Sequence, residues 1–156
     1  RAGIEAELRR WLGVERVVWL PWGLVEDDDT DGHVDNIALC MRPGEVLAQT
    51  TADPDDVNHD RLRENVDVLT AAGYEVAEID VLPSVVIDGE RSVVPPLHPY
   101  LAPGPAIVPV VVGPDGEAAL AAVRRALPER EVVGVPGAVL AHGGGGVHCI
   151  TQQVPR

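Results

Sequence analysis

The sequence predicts an α/β protein assembled from repeated modules, in a modular or propeller-like arrangement rather than as one doubly wound sheet. Three observations carry that expectation. Helical and strand periodicities alternate along the chain. A helix, a brief turn, a Val-rich strand and a stopping proline recur three times, at a spacing of about 55–60 residues, ending in GVERVVWLP, GYEVAEIDVLP and PEREVVGVP. Hydrophobic residues make up 46% of the 156, yet aromatics are only 3% with no Phe, so Val, Leu, Ala and Ile must fill the core.

The elements run in order along the chain. Residues 4–12 carry apolar side chains at helical spacing, and Gly13 stops them. Residues 16–21 read as a strand. Residues 37–41 and 45–50 read as two short strands around the turn Arg42-Pro43-Gly44. Residues 55–72 are helical, with acidic residues in the first turn and Gly73 at the end. Residues 75–81 form a strand closed by Leu82-Pro83. Prolines at 95, 96, 99, 103 and 105 make residues 83–104 read as loop. Residues 106–112 read as a buried strand, 113–116 as a turn, 117–127 as an Ala-rich helix and 131–135 as a strand ending at Pro136. The apolar residues around Cys149 read as a final β-type run.

Charge narrows the partners. All 12 basic residues are Arg, Asp and Glu number 25, and the formal net charge is −13. Such a chain repels nucleic acid and anionic membrane and favours cationic partners; the alternative is that the excess acid serves only solubility. Two cysteines, Cys40 and Cys149, make no disulfide framework. With no hydrophobic leader and no apolar run of membrane-spanning length, a reducing cytoplasm is expected. The chain begins at Arg1 inside a helical pattern, which predicts a fragment of a longer protein.

Two segments hold the residue types that do chemistry. In EDDDTDGHVDN, residues 26–36, five carboxylates precede or flank His33 and Asp35. In an extended segment, His33-x-Asp35 places both side chains on one face. Carboxylates beside an imidazole stabilise its protonated form, which suits proton transfer. The competing reading is a solvated acidic turn holding a hard cation, but the Gly and Glu placement of a calcium-binding loop is missing. The second segment is HGGGGVHCITQQ, residues 142–153. A His-Cys pair with no further Cys nearby is a weak zinc signal, because structural zinc takes four ligands. Cys149 reads as a nucleophile or, on the plainer view, as packing in an apolar strand. Cys40, in ALCMR, has no polar surroundings and reads as packing.

Taken together, TDGHVDN and GGVHCITQQ, with RPGEVL and EVVGVP between them, resemble the agmatine deiminase family, which includes the bacterial peptidyl-arginine deiminases. The resemblance runs in order over essentially the whole chain. It implies the pentein fold, a five-bladed αβ-propeller of ββαβ modules. This chain would be its last two to three blades: residues 1–156 as the C-terminal half of a single propeller domain, with the N-terminal half as its partner.

The resemblance also assigns roles. Cys149 matches the nucleophile that attacks a guanidinium carbon, His33 the general acid/base, and Asp35 a carboxylate that grips the guanidinium. Asp31, Gly145 and Gly146 fall in the substrate-binding loops. The implied reaction is hydrolysis of agmatine to N-carbamoylputrescine and ammonia through a covalent Cys amidino intermediate. It takes a small cationic guanidino substrate and no metal or organic cofactor. Peptidyl-arginine or free arginine is the alternative substrate, a non-catalytic pentein binding module the alternative of another class, and homo-oligomerisation is left open. At two places the chain departs from the family pattern around the site: Gly146 stands where Asn is usual, and His98 and Pro103 replace two further Asn residues.

Overall fold

Two of the three repeated units close into sheets of the same strand order. In this computed structural model, which describes residues 1–27, 32–101, 103–152 and 154, β1 (Ala38–Arg42) pairs antiparallel with β2 (Glu45–Gln49). β2 in turn pairs parallel with β3 (Glu75–Ile79). The crossover between β2 and β3 is α2 (His59–Ala71). The same plan returns about 60 residues later. There β6 (Tyr100–Leu101) pairs antiparallel with β7 (Ala106–Val110), and β7 runs parallel to β8 (Val132–Pro136) through the crossover α3 (Pro114–Ala126). Between the modules lies a hairpin, β4 (Ser84–Ile87) with β5 (Glu90–Val93). The described strands thus form three separate sheets.

Burial explains why the strands are continuous apolar runs. Val46 and Ala48 of β2 face Val66 and Leu69 of α2. Leu47, pointing the other way, joins Ile79 of β3 in a core with Ala106, Val108 and Val132 of the third sheet and Leu120 and Val123 of α3. A parallel strand covered on both faces has no polar side, so alternation disappears from its sequence. Helix α3 belongs to both modules, and its small residues Ala119 and Ala122 let it sit close to the strands.

Several expectations need correction. Residues 16–21 join no ladder among the described residues. A Val-rich segment becomes a strand only beside another strand. This one is instead tied down by side chains: the Arg16 guanidinium donates to Ala72 O at 2.9 Å, and Trp19 Nε1 donates to Glu5 at 2.8 Å. The loop read at 83–104 contains the β4–β5 hairpin. Its turn, Asp88-Gly89, has positive φ at both residues, as a two-residue hairpin of the I′ kind requires. The turn read at 113–116 is the start of α3: Pro114 occupies its first turn and Asp115 and Glu117 complement the helix dipole. Gly116 is glycine because a Cβ there would fall 1.9 Å from Val111 O. Helix α4 (Ala138–His142) has no counterpart among the predicted elements. The final β-type run is a single 3₁₀ turn, His148–Ile150. Cys40, expected to pack, is exposed on β1.

Helix α1 (Ala2–Leu12) buries none of its residues and leaves Ile4, Trp11 and Leu12 exposed. No described helix is long and apolar enough to cross a membrane.

Candidate active site

The first site segment is positioned by two buried asparagines of the α2 region. Asn58 accepts from Val25 N at 2.8 Å and donates to Glu26 at 2.9 Å. Asn65 donates to Trp22 O at 2.8 Å and accepts from Trp22 N. These bonds hold the stretch before Asp27, which ends in a turn at Val25–Glu26, and Asp27 in turn organises the segment around His33. Its carboxylate accepts from His33 N at 2.6 Å and from Asn36 Nδ2 at 3.1 Å, and lies 3.0 Å from His33 Nδ1. His33 is thus the pivot of a turn closed by a half-buried carboxylate–imidazole contact, and one 3₁₀ turn, Val34–Asn36, carries Asp35 directly after it. Because Nδ1 faces Asp27, proton exchange by this imidazole falls to Nε2.

The second segment starts as the end of α4. Backbone amides of Gly143 and Gly145 donate to Val139 O and Leu140 O, so the glycine run peels away from the helix in contact with it. Gly145 lies against Cys149, and a Cβ on it would meet Cys149 Sγ at 3.7 Å. Gly146 has no room for any side chain: its Cβ would fall 2.3 Å from His98 Nδ1 and 2.8 Å from His98 Cβ and Cγ. The departures from the family pattern at 146 and 98 are therefore one packing unit. The imidazole occupies the space that a side chain at 146 would fill.

His98 links the two segments. It is 5% exposed, and its Nε2 stands 3.1 Å from Asp35 Oδ1, the length of an ion pair but without hydrogen-bond alignment. His148 Nδ1 approaches the other Asp35 oxygen at 3.6 Å. The contact with His98 Nε2 holds the Asp35 carboxyl below its ordinary value. The charges of His98 and His33 act in the same direction, and burial opposes them. An oxygen of Asp35, a ring nitrogen of His98 and Cys149 Sγ all lie within 4.8 Å of one another.

A cleft of about 300 Å³ adjoins this cluster. His33, Asp27, His98, Gly145 and Gly146 are among its walls; Cys149 and Asp35 are not, and border it through Gly145 and His98. Glu26, Asp27 and Glu90 also line it, and Arg91 of β5, in the same wall, pairs with Glu26 and, at 2.6 Å, with Asp56.

Of the residues singled out in the sequence, Asp35 and Cys149 come together, Gly145 touches Cys149, Gly146 seats His98, and His33 lines the adjoining cleft. Asp31 lies outside the described residues. Asp27 carried a signal as one of the five carboxylates, though nothing ranked it above the rest. Asn58 and Asn65 carried none, because a polar residue beside or within an amphipathic helix looks like solvated surface.

The comparisons with known proteins agree on one family. A family model described as Porphyromonas-type peptidyl-arginine deiminase matches residues 1–155. The chain is 38% identical to an agmatine deiminase of Pseudomonas fluorescens over 184 residues, covering 99% of this chain and 48% of the relative. Against an agmatine deiminase of Pseudomonas aeruginosa it is 37% identical, covering 99% and 48%. The structure of the Enterococcus faecalis agmatine deiminase superposes with a TM-score of 0.90 at 26% identity, covering all of this chain and 49% of that one. A substrate-bound agmatine deiminase of C. jejuni, at 22% identity and a TM-score of 0.89, shares the fold. The chain spans about half the length of the relatives it matches.

Proposed function

Because this chain belongs to the Porphyromonas-type peptidyl-arginine deiminase family, we propose that it is the C-terminal half of an agmatine deiminase. In this reading residues 1–156 are part of one propeller domain, and the two matching β-β-α-β modules support a partial propeller of two to three blades. The other half of the domain supplies the remaining walls of the site.

The observation that carries the chemical reading is the placement of the Asp35 carboxylate and Cys149 Sγ within 4.8 Å of each other beside an acidic cleft. A guanidinium is planar and permanently charged, and it needs a carboxylate to hold its N–H groups in a fixed orientation. Asp35 is ionised across the neutral range and its acidity is raised by its neighbours, so it meets that need. Guanidinium carbon is a poor electrophile and calls for a soft nucleophile, the Cys149 thiolate. Attack forms the S–C bond and moves the C=N electron pair onto nitrogen, giving a tetrahedral adduct. His33, oriented by Asp27, protonates one nitrogen, and ammonia leaves as its C–N bond breaks. Water then attacks the amidino carbon. His33 takes its proton, the S–C bond breaks, and the thiolate returns with the ureido product released. Gly145 and Gly146 lie on the substrate side of these groups in this reading, and Asp31 keeps the substrate-binding role that the resemblance implies. The acidic balance of the chain favours a dicationic substrate such as agmatine.

A ureido assay of the full-length protein against agmatine, arginine and a peptidyl-arginine tests the proposal. Agmatine should yield N-carbamoylputrescine and ammonia, and Cys149→Ala should abolish the release of ammonia with the fold kept. Full activity in that variant sinks the nucleophile assignment. Turnover of peptidyl-arginine in preference to agmatine replaces the substrate and keeps the mechanism.

A further inference from the structure

We propose that Asp35, His98 and Cys149 form a binding site for a soft divalent cation, zinc above all, and that the bound metal withdraws the thiolate from reaction. Three independent features converge on it. The ligand atoms lie within 4.8 Å of one another. His98 Nε2 is buried, has no hydrogen-bond partner among the described residues, and is turned toward Asp35 at 3.1 Å. Finally, the ring is held there by shape, because Gly146 leaves the space in which it sits.

The geometry suits the metal. Tetrahedral zinc, with bonds of about 2.0–2.3 Å, sets its ligand atoms about 3.3–3.7 Å apart. The His98–Asp35 pair is already close to that spacing. Closing on zinc asks only that Cys149, exposed on a single 3₁₀ turn, move its Sγ by about 1 Å. Water takes the fourth position; His148, half-exposed and 3.6 Å from the second Asp35 oxygen, stands beside the cluster and is not among its three ligands. A sulfur, nitrogen and oxygen set selects zinc over magnesium or calcium, which take oxygen ligands. On binding, the S–Zn bond forms, the thiol proton goes to solvent, and no electron changes hands.

The site itself stands on these contacts; only its consequence, reversible inhibition competitive with the guanidino substrate, rests on the deiminase reading. The experiment separates the two. Full-length protein is titrated with cadmium and the cadmium–thiolate charge-transfer absorption is monitored, after which zinc is added to displace it. A saturable band that zinc removes and magnesium does not is expected. Cys149→Ser should lose that band, and His98→Gln should weaken cadmium binding by at least about tenfold, the cost of a lost ligand. Unfolding curves establish that each variant is folded, and His98→Asn replaces His98→Gln if the larger amide is not accepted. No band, a band unchanged in Cys149→Ser, equal competition by magnesium, or wild-type affinity in a folded His98 variant overturns the site. If the band behaves as expected and zinc leaves turnover unaffected, the site stands and the inhibition fails.

Discussion

Gly146→Ala is the sharpest perturbation the structure offers, because one methyl group meets one side chain. The added Cβ would sit 2.3 Å from His98 Nδ1 and 2.8 Å from its Cβ and Cγ, well inside ordinary contact. His98 cannot swing away: it is 5% exposed, in a stretch from Ser92 to Pro99 that is buried throughout. Gly146 itself is buried, so the loop has little room to retreat. Overpacking of this kind costs about 1–3 kcal/mol. With a urea m-value of about 2 kcal/mol/M, a loss of about 2 kcal/mol lowers the midpoint by about 1 M. Equilibrium urea unfolding of the full-length protein measures it. His98→Ala removes Nδ1 and Cγ, the atoms responsible for most of the overlap, so the double variant should recover stability. The cycle should report a favourable coupling of at least about 1 kcal/mol. Additivity within about 0.5 kcal/mol, or a Gly146→Ala midpoint equal to wild type, would refute the view that 98 and 146 are one packing unit.

Asp27→Asn keeps the size of the side chain and removes the charge facing His33 Nδ1 at 3.0 Å; steady-state kinetics on agmatine should show kcat lower by about tenfold to a hundredfold with KM little changed, since Asp35 is untouched. The lowered pKa of Asp35 contributes stability that is fully present above the ordinary aspartate value of about 3.9 and is lost as pH falls through the lower folded-state value. His98→Gln, which removes the largest cause of that depression, should therefore move the Asp35 titration upward in carbon-detected carboxyl NMR and make acid unfolding less sensitive to this group.

Much of this was written locally. The turn at Arg42-Pro43-Gly44, helix α2, the strands β2, β3, β7 and β8 and the modular repeat were all legible, because each depends on periodicity and on Gly or Pro within a few residues. The resemblance carried by TDGHVDN and GGVHCITQQ drew the two distant segments together, and the structure brings Asp35 and Cys149 within 4.8 Å of each other. What local signals misjudged was anything decided by a neighbour. Residues 16–21 have strand composition and no strand beside them among the described residues. The Asp88-Gly89 hairpin was hidden among prolines that belong to the loop after it. The run around Cys149 is apolar enough for a strand and is instead one exposed 3₁₀ turn.

The sequence by itself named the candidate side chains: a thiol, an imidazole and a carboxylate, spread over residues 33–149. Only the tertiary structure decided that Asp27 faces His33, since this depends on Asn58 and Asn65 reaching back from the α2 region to hold the segment before it. It also turned two apparent irregularities, a glycine at 146 and a histidine at 98, into one contact. The physical reason is range: propensity acts over a few residues, whereas the packing of Gly146 on His98, so close that a Cβ would come within 2.3 Å of the ring, joins positions that the chain separates by β6, β7, α3, β8 and α4.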